Sequence, residues 1–219
     1  MDWLSLRKRL GGKPDSLGGR RREERARWLA ETFPDLAQMS VLDLGGRVLT
    51  WQHAPVRPKH VHVVNMQPPL RPGIPEWAEW DLGDACDLPA HIAKRRYDLV
   101  FSNSVIEHVG GHERRERFAD SVHQLSDAHW VQTPYRYFPF EPHWMVPGMQ
   151  FLPVTVRAEL ARRWPLSYGR GKPRQAMLTK VLRVELLDRT QFRYYFPDSL
   201  IRTETVMGVP KSLIAYRTG

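Results

Sequence analysis

Two histidines stand beside glutamates: Glu107-His108, within Ser104-Val105-Ile106-Glu107-His108-Val109, and His143, within Phe140-Glu141-Pro142-His143. An imidazole titrates near neutral pH and can take a proton from a reacting hydroxyl, so His108 and His143 are candidate general bases, with Glu107 and Glu141 placed to orient them. A second unit, Val41-Leu42-Asp43-Leu44-Gly45-Gly46, reads as a buried strand ending in an acid and two glycines. Glycines at a strand end let a ligand approach the backbone, and a carboxylate there suits a cationic ligand better than a pyrophosphate. Neither Gly-x-Gly-x-x-Gly nor the Gly-x-x-x-x-Gly-Lys-Ser/Thr phosphate loop occurs. His108 and His112 are four apart, but Gly110 and Gly111 lie between them and the order His-Glu-x-x-His is missing, so no metal is expected. Cys86, the single cysteine, has no basic neighbour to activate it and reads as a small filler.

These residues need a scaffold, and the hydrophobic pattern supplies one. Ala26, Leu29, Ala30 and Phe33 follow helical spacing over roughly 20–33, and Pro34 ends that run. Short apolar strand-type runs follow at 40–44, 60–65, 77–82, 97–103 and 130–134, with Phe118, Val122 and Leu125 sharing a helical face before the last. Strands alternating with helices predict an α/β fold, a mostly parallel sheet with helices on both faces. Residues 135–153 break the rhythm with prolines and the side chains Tyr135, Tyr137, Phe138, Phe140, Trp144, Met145, Met149 and Phe151. They read as an acceptor pocket, with a satellite core under a long loop as the alternative. A helix over about 154–164 should bury Val156, Leu160 and Trp164, and 200–217 reads as a terminal antiparallel hairpin joined by Gly208-Val209-Pro210. Residues 1–19 form a basic arm whose Gly-rich stretch, 11–20, is expected to be a joint ahead of one domain, 20–219.

Taken in order, these units resemble the class I S-adenosylmethionine-dependent methyltransferases, most closely the broad bacterial small-molecule group. Asp43-Leu44-Gly45-Gly46 looks like the family's first motif, in which the acid contacts the amino-acid part of the cofactor and the glycines pass under its adenosine. Asn65 sits where the family carries an acid for the ribose hydroxyls, and Gly83-Asp84-Ala85 is similar to the motif beside the adenine. Ser102-Asn103 ends a run like the family's fourth strand, whose following loop borders cofactor and acceptor. The resemblance therefore implies a Rossmann-like, doubly wound, seven-stranded sheet and S-adenosyl-L-methionine as cofactor, bound through Asp43, Gly45, Gly46, Asn65, Asp84, Ala85, Ser102 and Asn103. His143 or His108 would then serve as base for a hydroxyl acceptor, held by Tyr135, Tyr137, Phe140 and Trp144. Two departures stand out: Arg47 replaces the third glycine, and Asn65 replaces the ribose acid.

Composition limits the alternatives. In 219 residues, 42% hydrophobic, a sizeable core is affordable, and one cysteine excludes a disulfide scaffold. No uninterrupted apolar run reaches spanning length and the first residues do not form a signal peptide, so a reducing cytoplasm is the expected compartment. The formal charge of +9 points to nucleic acid, but it is local: +4 over residues 1–34, +7 over 154–195 and −2 elsewhere. Ser102-Asn103-Ser104-Val105 also replaces the Asp/Asn-Pro-Pro-Tyr/Phe loop of exocyclic-amine DNA methyltransferases. The expectation is a small-molecule, glycosyl or lipid-like acceptor, with the arm meeting a membrane surface or a protein partner. A nucleic-acid methyltransferase and a non-catalytic subunit of the same fold are the competing readings.

Overall fold

In the computed structural model, which describes residues 17–70 and 73–219, the apolar runs become strands. They are β1 (Ser40–Leu44), β2 (His60–Asn65), β3 (Ala78–Leu82), β4 (Leu99–Asn103), β5 (Ala128–Pro134), the short β6 (Phe140–Glu141) and β7 (Val146–Pro147), and β8 (Leu200–Val206) and β9 (Val209–Thr218). The helices are α1 (Leu17–Thr32), α2 (Val48–Gln52), α3 (Ala90–Ala93), α4 (His112–Leu125), α5 (Val154–Arg163), α6 (Arg174–Leu182) and α7 (Arg189–Tyr195). One seven-stranded sheet has the order β3-β2-β1-β4-β5-β9-β8. Its first five strands pair in parallel, and β9 runs antiparallel to both β5 and β8.

Successive strand residues face opposite sides of the sheet, so an unbroken apolar strand must be covered on both. Leu42, Leu44, Val64, Val100 and Val131 enter one core with Phe118, Ala119, Val122 and Leu125 of α4 and Phe192 and Tyr195 of α7. Val41, Val61, Val63, Leu99 and Trp130 enter the other with Leu29 of α1, Phe33 and Trp51 of α2. Burial of each such side chain is worth about 1.5–3 kcal/mol, which holds the strand ends rigidly where ligands bind. Asp43 lies between Leu42 and Leu44, so alternation turns it toward the Trp51 side.

Several expectations need correction. Helix α1 begins at Leu17, inside the stretch expected to be a joint. Gly18 and Gly19 each cost about 1 kcal/mol of helix stability, but no proline interrupts the turn and the packed face at Leu29 and Phe33 anchors it. Arg25 also reaches Glu204 at 3.2 Å, and the Arg202 guanidinium lies 3.8 Å over the Trp28 ring, fastening α1 to the terminal hairpin. The rest of the basic arm, residues 1–16, lies outside the described residues. The hairpin turns at Met207-Gly208, both with positive φ (51° and 79°), two residues rather than the expected three. Helix α5 buries Ala158 and Ala161, whereas Val156 faces out; small alanines allow Met177 and Val181 of α6 to approach closely. Among the described residues, no helix is long and apolar enough to cross a membrane.

Candidate functional site

The glycine turn after β1 is built from both neighbours of the strand. Gly45 has φ +78°, and its amide donates to the Val64 carbonyl of β2 at 2.8 Å. A Cβ at Gly45 would fall 2.5 Å from a Val105 methyl group, and one at Gly46 would fall 1.8 Å from an Asp43 carboxylate oxygen. Both positions therefore require glycine. Asp43 itself is enclosed: Trp51 Nε1 donates to Oδ2 at 2.8 Å, while Oδ1 is buried without a hydrogen-bond partner. Burial pushes its carboxyl up to about 7, against the opposing indole hydrogen bond.

Asn65, at the end of β2, does something the sequence left unread. Its Nδ2 donates to the carbonyls of Gly45 at 3.0 Å and Gly46 at 2.9 Å, and Oδ1 accepts from the Gln67 amide at 3.0 Å. A carboxylate here could donate to neither carbonyl, which gives the departure from an acid a structural reason. Ser102, fully buried, donates its hydroxyl to the Leu44 carbonyl at 3.0 Å and ties β4 to the same turn. Asn103 follows it, half-buried, with Nδ2 3.5 Å from the Ser104 hydroxyl. Ser104 holds a left-handed backbone (φ 58°), with its hydroxyl donating to Gln132 Oε1 at 2.8 Å and its amide to the Gln132 carbonyl at 2.9 Å. Non-glycine residues rarely adopt this conformation, and the two bonds to Gln132 hold Ser104 in it.

Asp84 lies in the loop after β3, where Arg114 donates to Oδ2 at 2.6 Å and the Cys86 amide to Oδ1 at 3.0 Å. Burial alone would raise its pKa, but Arg114 and the amide outweigh it and hold the carboxyl below its usual value. Ala85 and Cys86 are buried beside it, and burial pushes the Cys86 thiol up to about 11, as fits a filler.

The loops after β4 and β5 bring the two histidines together. Their rings meet edge to face, with Nε2 of His108 3.1 Å from Nε2 of His143. Glu141, fully buried, accepts from the His143 and Trp144 amides at 2.7 and 2.9 Å and faces His143 Nδ1 at 2.7 Å. His108 Nδ1 faces the Arg183 carbonyl at 3.3 Å, a backbone partner that no side-chain pattern announces. Glu107 is also buried; Thr133 donates to its Oε2 at 3.1 Å, and burial pushes its carboxyl up to about 7. For His143, burial opposes the charged form, yet the Glu141 hydrogen bond and charge, with Glu107, raise its pKa; burial and the facing His143 charge lower that of His108. His112 is elsewhere, bonded to the Tyr195 hydroxyl at 3.0 Å.

The aromatic segment divides. Tyr137 and Phe140 are exposed, Tyr137 stacking on Phe151 at 6.0 Å between centroids, and half-buried Tyr135 packs against the main core. Trp144 is not a pocket wall: it is 4% exposed and forms a satellite core with Val146, Met149, Ala158, Met177 and Val181. The expectation that it holds an acceptor is corrected, because the space beside the α5 alanines takes its indole.

No family model matches the chain, and no curated protein sequence matches it. Solved structures do. A Synechocystis PCC 6803 magnesium protoporphyrin IX methyltransferase, solved with bound S-adenosylhomocysteine, is 15% identical with a TM-score of 0.54, over 98% of this chain and 92% of that one. An S-adenosylmethionine-dependent methyltransferase from Mesorhizobium loti is 16% identical with a TM-score of 0.54, over 87% and 96%. A Rhodobacter sphaeroides protein provisionally named a zinc-dependent alcohol dehydrogenase is 12% identical with a TM-score of 0.57, over 89% and 88%. At such identities each likeness concerns the fold alone. With its parallel sheet, reversed terminal hairpin and these structural relatives, the chain has the fold of the class I S-adenosylmethionine-dependent methyltransferases.

Proposed function

We propose that this chain is an S-adenosylmethionine-dependent methyltransferase acting on a hydroxyl of a small-molecule, glycosyl or lipid-like acceptor. The observation that carries the reading is the glycine turn after β1, where Asn65 fixes two carbonyls and a buried Asp43 oxygen is left without a partner beneath it. An unsatisfied carboxylate oxygen at a strand end fits a cationic ligand, as this cofactor is. Asp43, Gly45, Gly46, Asn65, Asp84, Ala85, Ser102 and Asn103 would hold it, Asp43 from below the turn and Asn65 by shaping the turn. When bound, the cofactor supplies an electrophilic methyl group.

The chain's own part is to place the acceptor and receive its proton. Val105, three residues before His108, lies against Gly45, so the loop that carries His108 starts at the glycine turn. With the Nδ1 atoms facing Glu141 and the Arg183 carbonyl, the proton would go to the Nε2 pair of His143 and His108, whose nitrogens lie 3.1 Å apart and would share it. Exposed Tyr137 and Phe140, with Tyr135, offer apolar surface to an acceptor. The test is incubation with S-adenosylmethionine and a panel of phenolic, glycosyl and lipid-linked alcohols. Methylated product together with S-adenosylhomocysteine supports the reading, and cofactor binding with no product from any hydroxyl acceptor speaks against hydroxyl transfer.

A further inference from the structure

Glu107, His108 and His143 carry a second consequence. When both imidazoles are neutral and donate through Nδ1, each presents a lone pair at Nε2. His143 Nδ1 is fixed by the Glu141 carboxylate at 2.7 Å and His108 Nδ1 by the Arg183 carbonyl at 3.3 Å, so the two Nε2 lone pairs face each other across 3.1 Å. A proton on one nitrogen, or a cation, would join them. The third group is Glu107 Oε1, buried without a hydrogen-bond partner and 4.0 Å from His108 Nε2. All three donor atoms lie within 4.8 Å of one another.

A shared proton would join the nitrogens but leave the Glu107 oxygen unsatisfied. A metal ion serves all three. We infer that Glu107, His108 and His143 form a binding site for a divalent first-row transition metal. At zinc–nitrogen distances of about 2.0–2.1 Å, nitrogens 3.1 Å apart subtend roughly 100° at the ion, within reach of tetrahedral geometry. Glu107 Oε1, 4.0 Å from His108 Nε2, would have to move toward the nitrogens to coordinate, pivoting about the Thr133 hydrogen bond to Oε2. Glu141 and the Arg183 carbonyl are the outer hydrogen-bond partners that fix the ring orientation of metal-bound histidines. Two imidazoles and one carboxylate select zinc, cobalt or ferrous iron over magnesium and calcium, which prefer all-oxygen sites. Three protein ligands would leave a fourth tetrahedral position, and the 40% exposure of the His108 side chain puts that edge within reach of solvent. Local spacing offers only His108 and His112, which lack the His-Glu-x-x-His order, so no metal is expected from sequence; the fold pairs His108 with His143, 35 residues on.

The site itself is independent of methyl transfer. Where the proposed function holds, an ion at this site would lower the pKa of an acceptor hydroxyl bound to it, and that proton would leave to solvent, because metal-bound Nε2 atoms cannot accept it; the ion would then replace the histidine base rather than assist it. The experiment uses the untagged, metal-stripped full chain without cofactor, titrated with zinc by calorimetry in two buffers and with cobalt by visible absorption. The expected result is one ion per chain, proton release on binding, and the intense cobalt bands of a four-coordinate site. Glu107→Gln and His108→Asn, each checked for folding by circular dichroism, should weaken zinc binding by about 10–100-fold or more. Less than one zinc per chain at about 100 μM free metal, or variants that bind like the parent, would overturn the inference. Because metal uptake is read without cofactor, its failure leaves the methyltransferase reading standing, and failure to bind S-adenosylmethionine leaves the metal site standing.

Discussion

The side-chain nitrogen of Asn65 donates to the carbonyl of Gly46 at 2.9 Å, and the same nitrogen also reaches the carbonyl of Gly45. This amide shapes the turn that borders the proposed cofactor site, a task that needs two N–H groups and no charge.

Asn65→Asp separates this role from the ribose contact that the family resemblance implies. An acid that held ribose hydroxyls would tighten cofactor binding. An acid facing two carbonyls should instead cost about 1–3 kcal/mol of stability and weaken S-adenosylmethionine binding. Thermal unfolding and calorimetry on the same variant decide between these outcomes; tighter binding with an unchanged melting temperature would show that the turn does not depend on the amide.

Gly45→Ala should fail for two separable reasons, a clash with Val105 and a left-handed backbone. The double variant Gly45→Ala/Val105→Ala relieves only the first and should recover part of the lost stability, with a residual cost of about 1–2 kcal/mol from the positive φ. Full recovery by the double variant would mean that backbone conformation is not limiting there.

His129 gives a pH signature away from the site. Its Nε2 lies 2.7 Å from the Ser199 hydroxyl, and burial first, then the charges of His123 and Arg217, lower its pKa to about 3. The folded value is below the unfolded one of about 6.5, so its contribution is complete above pH 6.5 and is lost as pH falls toward 3, by at most about 1.4 kcal/mol per unit. His129→Gln, which can still bond Ser199, should flatten the acid limb of a melting-temperature profile between neutral pH and pH 4. Parallel profiles for parent and variant would remove His129 as the cause.

His143→Ala and His108→Ala should leave cofactor affinity unchanged and lower turnover by about 10²–10⁴-fold. Loss of cofactor binding in either variant would place the pair in the cofactor site rather than beside the acceptor.

Much of this was legible in the sequence, and the boundary has a physical cause. Short apolar runs such as Leu99–Phe101, bounded by polar residues and alternating with helical patterns, read as strands covered on both faces, so sheet, layers and terminal hairpin follow from local pattern. Which residues meet across loops does not. Trp144 looked like a pocket aromatic because nothing local shows that Ala158 and Ala161 leave room for it. The Arg183 carbonyl that orients His108 is a backbone atom 75 residues away, invisible to any side-chain pattern. Sequence sets Glu107 and Glu141 beside their histidines, but only the folded loops show that Glu141 orients His143 while Glu107 keeps a bare oxygen.

The most direct measurement is calorimetric titration of S-adenosylmethionine and S-adenosylhomocysteine into the full chain and into Gly46→Val, whose side chain would collide with Asp43. The account predicts saturable binding of both ligands by the parent well below about a millimolar, equivalent to more than roughly 4 kcal/mol, and none by the folded variant. Absence of binding by the parent at that concentration, or equal binding by Gly46→Val, would contradict it.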